Sequence, residues 1–260
     1  SNYSLKELSL KINDYLVSSK EIYIIPYIKD LNFSSSDVVV YDKLNLSSIK
    51  INNNLLLYKN IVAKVSSEYV FVLLLFPIFV ILHIIIASAI KLSSKETVIY
   101  KDRRFGKDGK LFDCFKYRTM YSGNKTILKE YLSKNPKQFE EFDKYHKLKN
   151  DPRVTKVGKF LRATSLDELA QFINILRGEM SLIGPRPYCV HEKNKFSDSM
   201  EVILSVKPGI TGYWQVNGRN SLTFKQRITI DKWYIRNWSL WIDFVIFLKT
   251  ISILLYKRNT

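Results

Sequence analysis

Cysteine is nearly absent from this chain of 260 residues: there are two, Cys114 and Cys189, and they form no CxxC pair. A disulfide framework is therefore excluded as a source of stability, and a reducing compartment is expected. Histidine is as scarce. His83, His146 and His191 are scattered, so no zinc-type Cys/His cluster exists. Negative charge is also short, with 24 Asp and Glu against 41 Lys and Arg, a formal net charge of +17. That excess implies anionic partners: nucleic acid, an acidic membrane surface or phosphorylated substrates. No nucleic-acid motif appears, and the aromatics cluster in apolar segments instead of forming a base-stacking platform, so no nucleic-acid partner is expected. Internal repeats, low-complexity segments and a secretory signal pattern are likewise missing. The first residue is Ser1 and not Met, which leads one to expect a processed or truncated piece.

The length suits one domain with a good core, or two small ones. Residues 1–60 are rich in Ser, Asn and Lys, with β-like runs at 22–25 and 38–41 and helical spacing over 5–16. They read as part of a small α/β module with a regulatory or linking role. Residues 61–95 hold an apolar stretch, "VFVLLLFPIFVILHIIIASAI" at 70–90, which is 21 residues without a formal charge. As a helix it reaches ~30 Å, enough to span a bilayer. Pro77 should kink or break it, because proline lacks the N–H and disfavours helical geometry at Phe76. Basic residues flank both ends: Lys59 and Lys64 before, Lys91, Lys95, Lys101, Arg103 and Arg104 after. Positive flanks favour the cytoplasmic side, so a segment that enters, turns near Pro77 and leaves by the same face is expected. The alternative is a buried helix of a soluble protein.

Residues 96–260 form the remaining domain. Strands are expected at 98–103 and 111–115, joined at Asp108-Gly109, a strong hairpin signal. The basic residues here, Lys116 and Arg118 among them, suit either anionic lipid or phosphate. Residues 125–148 read as a charged surface helix, ended by a turn at Asp151-Pro152. Near the C-terminus, "NWSLWIDFVIFLKTISILLYKR" fits an amphipathic helix in the headgroup plane with Trp238 and Trp241 at the interface. A core helix is the alternative.

The segment "LRATSLDELAQFINILRGEMSLIGPRP" places two carboxylates, Asp167 and Glu168, side by side. Ser165-Leu166-Asp167-Glu168 fits a capping box. The following helix then puts Leu166, Leu169, Phe172, Ile173 and Leu176 on one face, with Gly178 as its stop. Asp167, Gln171 and Asn174 fall on the opposite polar side. Two acids in a first turn are adequately explained as partners of the helix dipole. The same location favours an ionised carboxylate, and an ionised Asp can act as a nucleophile. Neighbouring residues on a helix do not face each other, so the two acids suit separate roles around one ion. Arg153, Lys156, Lys159, Arg162, Arg177 and Arg186 surround them in sequence. Phosphate chemistry needs that mix of cations, metal-binding carboxylates and a nucleophile.

Several ordered blocks closely resemble the bacterial sugar transferases, the monotopic polyprenyl-phosphate phosphoglycosyl transferases. They are the Pro-containing apolar helix, "RRFGKDGKLFDCFKYRTM", "DPRVTKVGKFLRATSLDELAQFINILRGEMSLIGPRP" and "KPGITGYWQVNGRN", and the resemblance runs over residues 64–256. It implies an α+β, membrane-associated, mainly helical catalytic domain. That domain would carry a Pro-broken re-entrant helix, a β-hairpin and interfacial amphipathic helices, behind an N-terminal α/β fragment. By the same resemblance Asp167 attacks the β-phosphate of a UDP-sugar and releases UMP. The aspartyl phosphosugar then passes to undecaprenyl phosphate, initiating capsule, exopolysaccharide or O-antigen synthesis. Glu168 and Asp167 would hold Mg²⁺. Arg162 would orient carboxylates or phosphates. Arg186 and Pro187 would serve the nucleotide, and Arg153, Lys159, Arg118, Lys207, Gln215 and Arg219 the substrate.

The "PGITGYWQVNGRN" block resembles the longer hexose-1-phosphate branch, which favours UDP-glucose or UDP-galactose. That branch carries further upstream membrane helices and tends to pair, so a homodimer is expected. The implied place is the bacterial inner membrane, with the catalytic domain facing the cytoplasm. Departures from the family pattern are Phe76 where Ser is common, Ala170 where Pro is common, and His83 inside the apolar helix. The rival reading is a membrane-bound anion-binding module without catalysis.

Overall fold

The computed structural model describes residues 36–41, 46–51, 54–94, 97–136, 138–139, 142, 148, 150–196, 199–218 and 221–256. All of them belong to one unit, Ser34–Thr260. The patterns read at 5–16 and 22–25, the candidate Arg219 and parts of the stretch 125–148 lie outside the described residues.

Strands β1 (Ser36–Tyr41) and β2 (Leu46–Ile51) pair antiparallel, with Ser36 opposite Ile51. Helix α1 (Tyr58–Ser93) follows, 36 residues long, and it alone among the described helices is long and apolar enough to cross a membrane. The expected break at Pro77 is not found: helical backbone continues through it. Proline removes one donor, while its fixed φ suits a helix. Packing on both sides of Pro77 offsets that loss. Val72 and Phe79 enter a cluster with Phe112, Phe172 and Met180, and the Phe79 ring stacks on Phe172 at 4.6 Å.

Further along, Ile86 and Ile90 pack with Phe115, Tyr117 and Leu161. Nearer the start, Ala63 packs on the cluster of Tyr234, Trp238 and Ile246. One narrow stripe of α1 is thus covered by the same body along nearly its whole length. The rest, Leu73, Leu74, Ile78, Ile81 and Ile85 included, is exposed. That exposure argues against a buried helix of a soluble protein. His83 also gains an explanation, since its Nδ1 lies 2.7 Å from the Tyr117 hydroxyl.

Strands β3 (Ile99–Phe105) and β4 (Leu111–Tyr117) form the expected hairpin, with Ile99 opposite Tyr117. Asp108 and Gly109 turn it with φ of 57° and 73°, a left-handed geometry these residue types tolerate. Helices α2 (Asn124–Lys134), α3 (Lys156–Thr164) and α4 (Phe172–Leu176) come next. Strand β5 (Ser181–Ile183) then pairs in parallel with β6 (Gly209–Thr211), across α5 (Met200–Leu204). The chain ends with α6 (Tyr213–Val216), α7 (Phe224–Asn237) and α8 (Leu240–Tyr256). The result is a mainly helical α+β body with three two-stranded sheets among the described residues.

The interfacial reading of α8 needs correction at its start. Trp238 is not at an interface: it is 3% exposed and donates its Nε1–H to Asp243 Oδ2 at 2.9 Å. Lys64, read as a basic flank, is also buried. Its ammonium donates to Asp243 at 2.6 Å and to the Tyr234 hydroxyl at 3.2 Å, and pairs with Glu68 at 2.9 Å. Glu68 in turn accepts from the Ser181 hydroxyl at 2.7 Å. This polar knot fastens α1 to α7, α8 and β5. Trp241 is 69% exposed, at the head of an apolar stripe with Phe244, Leu248, Ile251 and Leu255.

Candidate active site

The site begins where α3 ends. Thr155 caps that helix, its hydroxyl accepting from the Gly158 N–H at 2.8 Å. Gly158 is needed there, because a Cβ would stand 2.1 Å from the Thr119 carbonyl oxygen. Helix α3 therefore lies close against the end of the hairpin. At its other end Ser165 takes φ 59° and ψ 16°. This left-handed residue closes α3 and turns the chain into a single 3₁₀ stretch, Leu166–Gln171. The expected capping box is not formed, since an N-cap needs extended backbone and Ser165 makes no side-chain cap bond. Helix α4 has only five residues, so its dipole explains little about Asp167 and Glu168.

Burial corrects the expected polar face as well. Gln171 and Asn174 are 2% and 0% exposed. Asn174 serves the open edge of β4: its Oδ1 accepts from the Phe115 N–H at 2.9 Å, and its Nδ2 donates to the Asp113 carbonyl at 2.8 Å. Gly178, at φ 73°, ends α4 as expected. This strand-edge docking sets Asp167 and Glu168 beside the last residues of β4. There Lys116 Nζ meets Glu168 Oε1 at 2.8 Å.

Both carboxylates line a cleft of about 870 Å³, together with Lys116, Arg118, Arg162 and Arg186. Arg162 is held by its Nε–H donating to Thr119 Oγ1 at 2.9 Å, and Arg118 by donating to the Thr97 carbonyl at 2.8 Å. Thr211, Trp214 and Gln215 line the same cleft. The loop carrying Arg186 is tied to β6, with the Gly184 N–H donating to the Thr211 carbonyl at 2.9 Å. The Arg186 and Arg227 guanidiniums lie 5.9 and 4.7 Å from the Trp214 ring centroid. Below them Asp231 is fully buried and accepts from the Tyr188 hydroxyl at 2.9 Å. Burial raises its carboxyl to about 8, against the opposing pull of Tyr188. Asp167 is also raised above the usual aspartate range, by burial first and by the neighbouring charge of Glu168 second.

Of the residues singled out from sequence, Asp167, Glu168, Arg162, Arg118, Arg186 and Gln215 come together. Four others do not line the cleft. Arg153 is engaged by Asp151, its Nε–H donating to Oδ1 at 2.8 Å. Pro187 is buried, and its carbonyl accepts from the buried Arg104 at 2.9 Å. Lys159 is on the exposed side of α3, and Lys207 stands beside Gly178. Lys116, read from sequence only as one of a basic group suited to lipid or phosphate, is a site residue, and so is Trp214, which the sequence did not point to. A signal for Lys116 was present: residues two apart on a strand share a face, and Arg118 is its partner. No group of three or more His, Cys, Asp or Glu side chains that could hold a metal occurs among the described residues.

Fold and cleft together define an α+β protein with a cation-rich, two-carboxylate cleft set against an exposed apolar helix. The match to known families is in keeping with this: residues 59–257 fit the model of the bacterial sugar transferases, and the chain belongs to that family. An uncharacterized sugar transferase of Haemophilus influenzae is 38% identical over 238 residues, covering 92% of this chain and 50% of its own length. The UDP-galactose-lipid carrier transferase of Erwinia amylovora is 37% identical over 244 residues, with the same two coverages of 92% and 50%. The undecaprenyl-phosphate galactose phosphotransferase of Salmonella typhimurium is 47% identical over 159 residues, covering 61% of this chain and 33% of its own. The chain thus spans about half the length of the first two of these relatives.

Proposed function

We propose that this chain transfers a sugar 1-phosphate from a UDP-sugar to undecaprenyl phosphate at the cytoplasmic face of a bacterial inner membrane. The observation carrying this reading is the cleft itself: Asp167 and Glu168 side by side among Lys116, Arg118, Arg162 and Arg186. In the first step an Asp167 carboxylate oxygen attacks the β-phosphorus. The bond from that phosphorus to the oxygen bridging the two phosphates breaks, and UMP leaves with the bridging oxygen. The sugar 1-phosphoryl group is then an acyl phosphate on Asp167. In the second step a phosphate oxygen of the lipid attacks the same phosphorus. The bond to Asp167 breaks, the carboxylate is restored, and a polyprenyl diphosphate sugar is formed. No water is consumed.

The four cations offset the charge of the diphosphate and of the leaving UMP. Lys116 pairs with Glu168 at 2.8 Å, and its charge opposes the effect of Glu168 on Asp167. The donor set fits Mg²⁺ as a shared site, since Mg²⁺ takes one or two carboxylates plus substrate phosphates in place of a full protein cage. Asp167 and Glu168 would hold it, and when bound it supplies charge neutralisation to the diphosphate. The names of two relatives specify galactose, so UDP-galactose is the first donor to try, with UDP-glucose beside it. The covering of α1 by one body along its length supports a helix that does not carry that body across the bilayer. The exposed Lys59 at the start of α1 and the exposed Lys91, Lys101 and Arg103 at and after its end support a cytoplasmic placement.

The test is UMP release by membrane-held protein given Mg²⁺, undecaprenyl phosphate and a panel of UDP-sugars. UMP from one donor, lost in Asp167→Asn, is expected. Tight, salt-sensitive binding of UDP-sugar without UMP in a folded protein would instead favour an anion-binding module.

A further inference from the structure

The cleft is not polar throughout. Beside the cations and carboxylates it is lined by Ile210, Val216 and Leu254, and by Thr250. Thr250 offers little polarity, because its hydroxyl is engaged with Thr211 Oγ1 at 2.8 Å and with the Ile246 carbonyl at 2.8 Å. Thr250 and Leu254 are four residues apart on α8 and so share one face. One residue further round lie Ile251 and Leu255, 39% and 69% exposed. They belong to the stripe that also holds Trp241, Phe244 and Leu248, spaced three and four residues apart. The neighbouring α1 extends this apolar surface, since the Phe71 and Phe247 rings approach to 5.5 Å. An apolar lip therefore joins a cation-lined cleft to a membrane-competent face. A phosphate head on a hydrocarbon tail is the ligand chemistry that matches both parts.

We propose that the prenyl chain of the lipid phosphate leaves the cleft over Thr250 and Leu254 and enters the bilayer beside Ile251 and Leu255. This rests on the proposed function for the identity of the lipid. It makes Leu254 a residue of the acceptor subsite, while Phe244, ten residues back on α8, contacts bulk lipid only.

Two measurements in nanodiscs test it. In the first, a photoreactive benzophenone residue replaces Leu254 or Phe244, and crosslinking to labelled undecaprenyl phosphate is read without turnover. Crosslinking at 254 that excess prenyl phosphate removes, and that is weaker at 244, is expected. Equal crosslinking at both positions, or none that prenyl phosphate displaces, overturns the proposal. The second compares the lipid-dependent step with lipid-independent UMP release. Leu254→Glu should lower the ratio of the two roughly tenfold or more, since a carboxylate in a hydrocarbon path is costly, and Phe244→Glu should leave it as in the parent protein. An unchanged ratio in Leu254→Glu overturns the proposal. Absence of UMP from the parent protein with every donor would instead defeat the transferase reading, and crosslinking would still decide where the chain lies.

Discussion

Asp167 combines two demands that pull against each other. A nucleophilic carboxylate has to be ionised, yet burial and Glu168 both favour its protonated form. Its folded value lies above the ordinary 3.8, so ionisation weakens the fold as pH rises from the carboxylate range through that raised value. Asp167→Asn removes this cost. It should abolish UMP release while thermal stability at neutral pH is kept or raised. A drop in melting temperature together with lost activity would mark Asp167 as a structural group instead. In the parent protein the lipid-independent step should fall on acidification with a midpoint above 3.8, read from a pH–rate profile. Lys116→Met tests the partner. The pair is partly exposed, so stability should change by less than about 1 kcal/mol. UMP release should fall roughly tenfold or more if Lys116 serves the charges of the cleft.

At this scale the family resemblance pointed to the carboxylates, Arg162 and Arg186, which share one cleft, whereas the type and spacing of the two acids were adequately explained by a helix cap. The capping box was misread: S-x-x-E fits a cap, but Ser165 is left-handed and closes the helix before it. Nothing in a local pattern distinguishes these two uses of a serine.

Among the elements, α1 was legible in length and composition and not in its contacts. The apolar run is plain in the sequence. Lys64 looked like a membrane-edge cation, whereas its partner Asp243 is 179 residues away. Asp243 in turn lies within the C-terminal segment that reads as an amphipathic helix. Only the fold brings the two together. Lys64→Met would leave the Glu68 and Asp243 carboxylates buried without their cation, and should cost about 3–5 kcal/mol. Chemical denaturation in detergent measures this, and a loss below about 1 kcal/mol would mean that the knot is not a fastening. Pro77 was expected to break the helix on local rules, yet Val72 and Phe79 hold it in the core from both sides. Pro77→Ala should therefore raise the melting temperature with UMP release retained. Lost activity in a stabler protein would show that the proline is used for a bend in the membrane.

For the molecule as a whole, the formal charge of +17 and the exposed apolar faces of α1 and α8 act together. Charge alone would give binding that salt abolishes, and apolar burial alone would give binding indifferent to lipid charge. Flotation with anionic vesicles should exceed that with neutral ones at low salt, and a salt-resistant fraction should remain. Complete release by salt would contradict burial of these faces in lipid.

The most direct measurement bears on the covalent step. Protein freed of lipid phosphate would be mixed with Mg²⁺ and the preferred UDP-sugar, and examined by intact-protein mass spectrometry beside a UMP assay. The proposed chemistry predicts about one UMP per protein and a sugar-phosphate adduct on Asp167 that added undecaprenyl phosphate removes. Turnover with lipid present, but neither UMP nor adduct without it, would mean direct transfer between the two substrates and would contradict a nucleophilic Asp167.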